Sequence, residues 1–120
     1  MKRALLLVDH GSREPEAGAN LDRVVAQLRE RRPGLSVYVA HLELAEPSIA
    51  AAVAACARDG VEELVVHPFF LAAGRHAASD VPGAVAAAAR AFPGLRVRLT
   101  PPTGAAAGIA ELILATLPGE

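Results

Sequence analysis

Cysteine and aromatic residues are scarce in this chain of 120 residues. Cys56 is the one cysteine, which excludes an internal disulfide and a zinc site built from several thiolates. Tryptophan is absent, and the aromatic side chains are one Tyr and three Phe. A hydrophobic core must therefore be built from Ala, Val, Leu and Ile, and few rings can stack on nucleic-acid bases.

An excess of one charge is also lacking, since 12 basic and 13 acidic residues leave a net charge of −1. No nucleic acid is expected as a partner, because such proteins carry clustered basic residues. The apolar run that follows Lys2 and Arg3 covers only residues 4–8, which is too short for a signal sequence or a membrane span. We expect a cytoplasmic protein with no membrane contact.

The composition is typical of a folded globular protein, with 52% hydrophobic and 21% charged residues. A chain of this length suits one hydrophobic core, so we expect a single domain over residues 1–120. Four short segments predict strands, at residues 4–8, 35–39, 64–66 and 95–99. The first is apolar throughout, as in a central strand, whereas arginines alternate with apolar residues in the fourth, as at an edge.

Helix signals fill the intervals between the predicted strands. Pro15 predicts the start of a first helix, because proline is tolerated in the first turn. Its apolar stripe consists of Leu21, Val24, Val25 and Leu28. Pro47 predicts the start of a second helix, with Glu46 as its cap and Gly60 at its end.

Two further helices are predicted in the second half of the chain. Asp80, with Pro82 two residues later, predicts the N-cap of a third helix and leaves residues 72–79 as a loop. Thr103 predicts the cap of a last helix. The apolar residues of that helix share one face and are Ile109, Leu112, Ile113 and Leu117.

Strands that alternate with helices predict an α/β fold. We expect a single-domain, four-stranded parallel sheet flanked by helices on both faces, with right-handed crossovers. The expected strand order is 2-1-3-4, similar to that of flavodoxin.

Histidines follow the predicted strands. His10 ends the first strand, His41 follows the second, and His67 follows the third, with His76 shortly after it. Ligands of parallel sheets bind beyond the carboxyl ends of the strands, so the four side chains are expected at one edge. A neutral imidazole can hold a divalent metal ion or accept a proton near neutral pH. Ligands from separate strand ends suit an open, transient site better than a closed structural one.

Each candidate residue also has a simpler structural interpretation. His10 alone could hydrogen-bond to the backbone at a strand end, and His76 alone could be a solvated loop residue. Glu43 could be an exposed loop acid. His41 and His67 are interpreted as structural.

Three segments resemble the signatures of the short sirohydrochlorin chelatases, which are ATP-independent chelatases of class II. They are VDHGSR at 8–13, LELAEPSI at 42–49, and PFFLAAGRH at 68–76 followed by DVP. The resemblance covers residues 5–83, and beyond it only the strand and helix pattern agrees. His41 and His67 depart from the family pattern, in which apolar residues are commoner at these positions.

The resemblance implies that His10 and His76 are the catalytic pair that handles the metal ion, with Glu43 assisting. It also implies a set of substrate-binding residues, namely Ser12, Arg13, Phe70, Leu71, Gly74 and Arg75. The divalent ion is then a substrate, with Co²⁺ expected and Fe²⁺ or Ni²⁺ as alternatives, and no tightly bound cofactor is expected. A homodimer is implied, because longer relatives carry two such domains around one tetrapyrrole cleft.

The expected function is therefore Co²⁺ insertion into sirohydrochlorin for cobalamin biosynthesis. Insertion of Fe²⁺ for siroheme and a non-catalytic metal carrier stay open as alternatives. A histidine phosphatase is disfavoured, because Asp9 stands where an arginine would precede His10-Gly11. A nucleotide-binding module is disfavoured, because the first turn after a strand lacks the pattern G-x-G-x-x-G.

Overall fold

The computed structural model describes residues 1–72 and 74–119, apart from the side chains of residues 75–77. Its strands are β1 (Arg3–Asp9), β2 (Ser36–His41), β3 (Glu63–Pro68) and β4 (Arg96–Leu99). Its helices are α1 (Pro15–Arg31), α2 (Ile49–Arg58), α3 (Arg75–Ala89) and α4 (Ile109–Leu114), with a 3₁₀ turn at Thr103–Ala105.

The four strands form one parallel sheet in the order β2-β1-β3-β4, which confirms the predicted fold class and strand order. β1 is central, as its apolar run predicts, and β4 lies at an edge. In the register of β1 and β2, Asp9 is opposite His41. The ends of these two strands therefore carry their polar residues to the same rim.

Helices cover both faces of the sheet, as predicted. On one face, α2 and α3 pack on alternate residues of β1, with Leu6, Val53 and Val85 in one buried cluster. On the other face, α1 contributes Leu21 to a second cluster with Leu7 of β1. This alternation follows from the two-residue period of a strand, which presents successive side chains to opposite faces.

Three predicted helix starts are wrong, and the first two are those of α2 and α3. Ser48, not Glu46, caps α2, because its hydroxyl accepts a hydrogen bond from the backbone N–H of Ala51 at 3.1 Å. α3 begins at Arg75 after Gly74, so most of the loop predicted at 72–79 is helical and Asp80 lies inside the helix. Val81 is 1% exposed and belongs to the buried stripe of α3.

The last helix is also shorter than predicted. Thr103 lies in the 3₁₀ turn, and Gly108 precedes α4. The apolar face of α4 lies in solvent, with Leu112 62% and Ile113 61% exposed. Within the described part of the chain, no helix is long and apolar enough to cross a membrane. The cytoplasmic location stays a prediction.

Candidate functional site

The turn after β1 presents His10 to solvent. Gly11 adopts a φ of 88°, in the left-handed region that favours glycine. A Cβ atom at this position would lie 1.6 Å from the backbone oxygen of Glu43. Glycine is therefore required both by the backbone angle and by the close approach of the neighbouring loop.

That neighbouring loop, which follows β2, is tied to the turn by two backbone hydrogen bonds. The N–H of Leu42 donates to the carbonyl oxygen of Asp9 at 2.9 Å, and the N–H of Glu43 donates to that of His10 at 3.1 Å. The ladder between β1 and β2 thus continues past the strand ends. As a result, the exposed side chains of His10 and Glu43 come from adjacent backbone positions.

A cavity of about 790 Å³ opens beside these two residues and is named the His10 cavity. Its lining consists of His10, Leu42, Glu43, Ser79, Asp80, Gly83 and Ala84. The loops after β1 and β2 form one wall, and α3 forms the other. This size lies in the range of about 300–1,000 Å³ that is usual for small-molecule sites. An imidazole and two carboxylates face the same open space.

The ring of Phe70 packs against the imidazole of His10. The centroids of the two rings are 4.5 Å apart with an angle of 40° between the ring planes. Phe70 is itself 6% exposed, so it acts as a fixed platform and not as a free surface. A shallow groove of about 380 Å³ continues from His10 to Ser12 and to Leu71, which is 78% exposed.

The other predicted site residues are spread around this rim. Arg13 lines a separate cavity of about 320 Å³, named the His41 cavity, together with His41 and Glu46. Gly74 is exposed and precedes α3. The side chains of Arg75 and His76 lie outside the described part of the structure.

His41 and His67 both have polar partners. Nδ1 of His41 is 2.6 Å from Oδ1 of Asp9. The two ring nitrogens of His67 are 2.7 Å from the hydroxyl of Thr100 and 2.8 Å from that of Thr103. Burial lowers the pKa of His67, because the charged imidazolium loses hydration there.

The contacts of His67 fix the chain beneath Leu71. Thr103 precedes Gly104, whose N–H donates to the carbonyl oxygen of Phe70 at 2.9 Å. A Cβ atom on Gly104 would lie 1.6 Å from the backbone oxygen of Leu71, so the two segments are in close contact. The hydroxyl of Thr103 therefore hydrogen-bonds to His67 and does not cap the N-terminus of α4.

Because burial lowers the pKa of His67, the unfolded chain binds a proton there more readily than the folded chain. We expect the free energy of unfolding to fall as the pH drops below about 6.5, the usual pKa of histidine. The variant His67→Gln keeps a polar partner for the threonines but does not titrate, so its stability should fall less over this range. Urea unfolding from about pH 7.5 to about pH 5 measures the difference. Identical pH dependence of the two proteins would contradict this.

Among the described side chains, no three His, Cys, Asp or Glu residues converge as ligands of a metal ion. The described side chains of the rim can therefore contact a metal ion, but they do not surround it.

Sequence reasoning missed the role of Asp80 as a lining residue of the His10 cavity. The pair Asp80 and Pro82 is a typical helix start, so the sequence predicts a capping role for Asp80 and not a place on the cavity wall. A stripe of Val81, Val85, Ala88 and Phe92 was the available signal, since these residues recur at helical spacing.

The CbiX family model matches residues 4–118 of this chain. The sirohydrochlorin ferrochelatase of Arabidopsis thaliana, a chloroplastic protein, is 42% identical over 100 residues, which are 83% of this chain and 44% of that protein. The sirohydrochlorin cobaltochelatase of Methanopyrus kandleri is 38% identical over 79 residues, 66% of this chain and 55% of that protein. This chain spans about half the length of these relatives.

The fold is similar to that of a solved chelatase. The sirohydrochlorin chelatase SirB from Bacillus subtilis, solved in complex with cobalt, superposes with a TM-score of 0.84 at 29% sequence identity. The match covers 96% of this chain and 49% of that one.

Proposed function

Because this chain belongs to the CbiX family, we propose that it inserts a divalent metal ion, Co²⁺, into sirohydrochlorin. The observation that carries the proposal is the His10 cavity, where an exposed imidazole and the Glu43 carboxylate face a space of about 790 Å³. Sirohydrochlorin is a flexible tetrapyrrole that carries many carboxylates, and its pyrrole N–H protons must leave as the ion enters.

The chemistry follows from these groups. The neutral imidazole of His10 can hold the incoming ion on one face of the ring or accept a pyrrole proton. Glu43 and Asp80 add carboxylates that attract the ion and take up released protons. The imidazole of His10 also packs against the ring of Phe70, with the ring centroids 4.5 Å apart.

His76 is proposed as the second metal-handling residue. Its position in α3 precedes Asp80 by four residues, which is about one helical turn. Arg13 and Arg75 are proposed to pair with peripheral carboxylates of the ring, which guanidinium groups bind in a bidentate manner. Ser12, Leu71 and Gly74 complete the proposed substrate contacts.

Co²⁺ is proposed as the ion because sites with nitrogen and oxygen ligands bind Co²⁺ more strongly than Fe²⁺. Fe²⁺ insertion for siroheme is the second candidate, and the 42% identity to a ferrochelatase favours it. Initial rates of insertion with Co²⁺, Fe²⁺ and Ni²⁺, each supplied alone and then in pairs under anaerobic conditions, test the choice. A rate with Fe²⁺ above that with Co²⁺ would replace the first candidate by the second.

A non-catalytic metal carrier is the remaining alternative. It would bind Co²⁺ without accelerating insertion into sirohydrochlorin above the rate of free Co²⁺ at the same concentration. Measurement of both binding and turnover on one sample therefore separates a carrier from an enzyme.

We also propose that the working enzyme is a homodimer. A tetrapyrrole ring needs enclosure on both of its faces, and the cavity of one domain is open on one side. The face of α4 supports a partner of the same kind, because its leucines and Ile113 are more than half exposed, which is unusual for a helix of a monomeric protein. The molecule is also elongated, with extents of 52 × 33 × 27 Å.

A charge on this face is expected to separate the dimer. The double variant Leu112→Glu and Ile113→Glu places two carboxylates on an apolar interface, whereas Ala26→Glu places one on the exposed side of α1 as a control. Light scattering should give a dimer for the natural sequence and the control, and a monomer with reduced activity for the double variant. A fully active monomer of the natural sequence would contradict the dimer proposal.

A further inference from the structure

The pair Asp9 and His41 lies where the turn after β1 meets the loop after β2. Nδ1 of His41 and Oδ1 of Asp9 are 2.6 Å apart, and the two side chains are only 11% and 17% exposed. The backbone of His41 is also held, because its N–H donates to the carbonyl oxygen of Pro47 at 2.9 Å. Both the backbone N–H and the imidazole ring of His41 are therefore held by hydrogen bonds.

The carboxylate of Asp9 has a second donor. The backbone N–H of Gly11 donates to the same oxygen, Oδ1, at 2.9 Å. A carboxylate oxygen accepts hydrogen bonds, so we assign the proton of this pair to Nδ1 of His41. One oxygen therefore joins the second strand end to the turn in which Gly11 has its left-handed conformation.

His10 lies between Asp9, which carries this oxygen, and Gly11, whose N–H donates to it. Among the described residues, none forms a hydrogen bond with the His10 imidazole, which contacts the ring of Phe70. The position of the imidazole over the cavity depends on this contact and on the backbone turn from Asp9 to Gly11, which carries the side chain. If this turn relaxes by even a fraction of an ångström, His10 moves relative to Glu43, which lies in the loop after β2.

We infer that His41, acting through Asp9, is a positioning residue for His10. This inference rests on the proposed function of the His10 cavity. His41 lines the separate His41 cavity, so it acts on the reaction through the turn and not by contact with the ring. The interaction fixes the turn from a side chain of the second strand, in addition to the backbone bonds that reach it from Leu42 and Glu43.

Two substitutions of His41 separate the hydrogen bond from the bulk of the side chain. Asparagine places an amide N–H near the position of Nδ1, whereas leucine fills a similar volume without a donor. We expect His41→Leu to lower kcat about tenfold and to change KM for sirohydrochlorin less than about twofold. The substitution displaces His10 relative to the reacting atoms but leaves the residues that contact the tetrapyrrole in place. His41→Asn should recover most of the lost kcat.

The control Tyr38→Phe removes a hydrogen bond of 2.6 Å to Asp59 from the same strand, far from the turn. Its kcat should equal that of the natural sequence. If His41→Leu is as fast as the control, or if asparagine is no better than leucine, the positioning role is wrong.

A second readout needs no turnover. Hydrogen exchange of the Gly11 amide should be at least about tenfold faster in His41→Leu than in the natural sequence or in His41→Asn, because the acceptor loses its anchor. Nitrogen NMR should show His41 with a proton on Nδ1. If the natural sequence inserts no metal ion, the proposed function fails, and Gly11 exchange alone decides the inference: faster exchange in the leucine variant supports it, and unchanged exchange overturns it.

Discussion

Replacement of His10 by alanine is expected to lower the rate of metal insertion into sirohydrochlorin at least about 100-fold while the fold is retained. The imidazole is exposed at the mouth of the His10 cavity, so its loss creates no buried void. The contact with the Phe70 ring is lost, which costs little stability beside the loss of a metal and proton acceptor. The absorbance change of the tetrapyrrole measures the rate, and circular dichroism measures the fold.

The matched control for this variant is Gln27→Ala, an exposed residue of α1 outside the described cavities. It should insert the ion at the rate of the natural sequence. A rate for His10→Ala within about twofold of the control would show that the imidazole neither holds the ion nor accepts a proton.

A loss of similar size, about 100-fold, is expected for His76→Ala, because the proposed reaction uses a second imidazole, that of a residue in α3. Loss of kcat in this variant should be accompanied by weaker binding of Co²⁺, which the visible spectrum of the ion reports. The control Arg90→Ala removes an exposed basic residue after the other end of α3 and should be neutral.

The double variant His10→Ala with His76→Ala gives a further check on this second prediction. Residues that serve one step are not additive, so the double variant should be little slower than either single variant. Normal turnover in His76→Ala, or an effect that multiplies fully with that of His10→Ala, would contradict the paired role.

The strands were predictable because their signal is local. The run at 4–8 is apolar at every position, which requires burial on both faces and hence a central strand. In β4, arginines alternate with apolar residues. This pattern favours an edge strand, because side chains of an edge strand are less completely covered than those of a central strand. Strand order then follows from right-handed crossovers, and the structure has the predicted order.

Helix starts were less predictable, because capping residues have competing uses. Asp80 and Thr103 are both good N-caps in isolation. In the fold, α3 begins at Arg75 and Asp80 lies inside it, and the hydroxyl of Thr103 is hydrogen-bonded to His67. The apolar pattern of the last helix predicts a face that packs against another surface, but it does not indicate which surface that is.

The candidate site was predictable where residues follow strands, and unpredictable where side chains meet across the fold. His10 and Glu43 follow paired strands, so their proximity follows from the topology. The partners of His41 and His67 lie 32 to 36 residues away in sequence, and no local pattern indicates them. Both histidines have polar partners in this fold.

The most direct test of the account is the conversion of sirohydrochlorin by the purified chain with Co²⁺ in the absence of ATP. We predict that the metal-free absorption bands are replaced by those of the Co²⁺ complex at a rate proportional to protein concentration, and that His10→Ala removes nearly all of the increase over free Co²⁺. A rate equal to that without protein, from a folded sample that binds Co²⁺, would contradict the account.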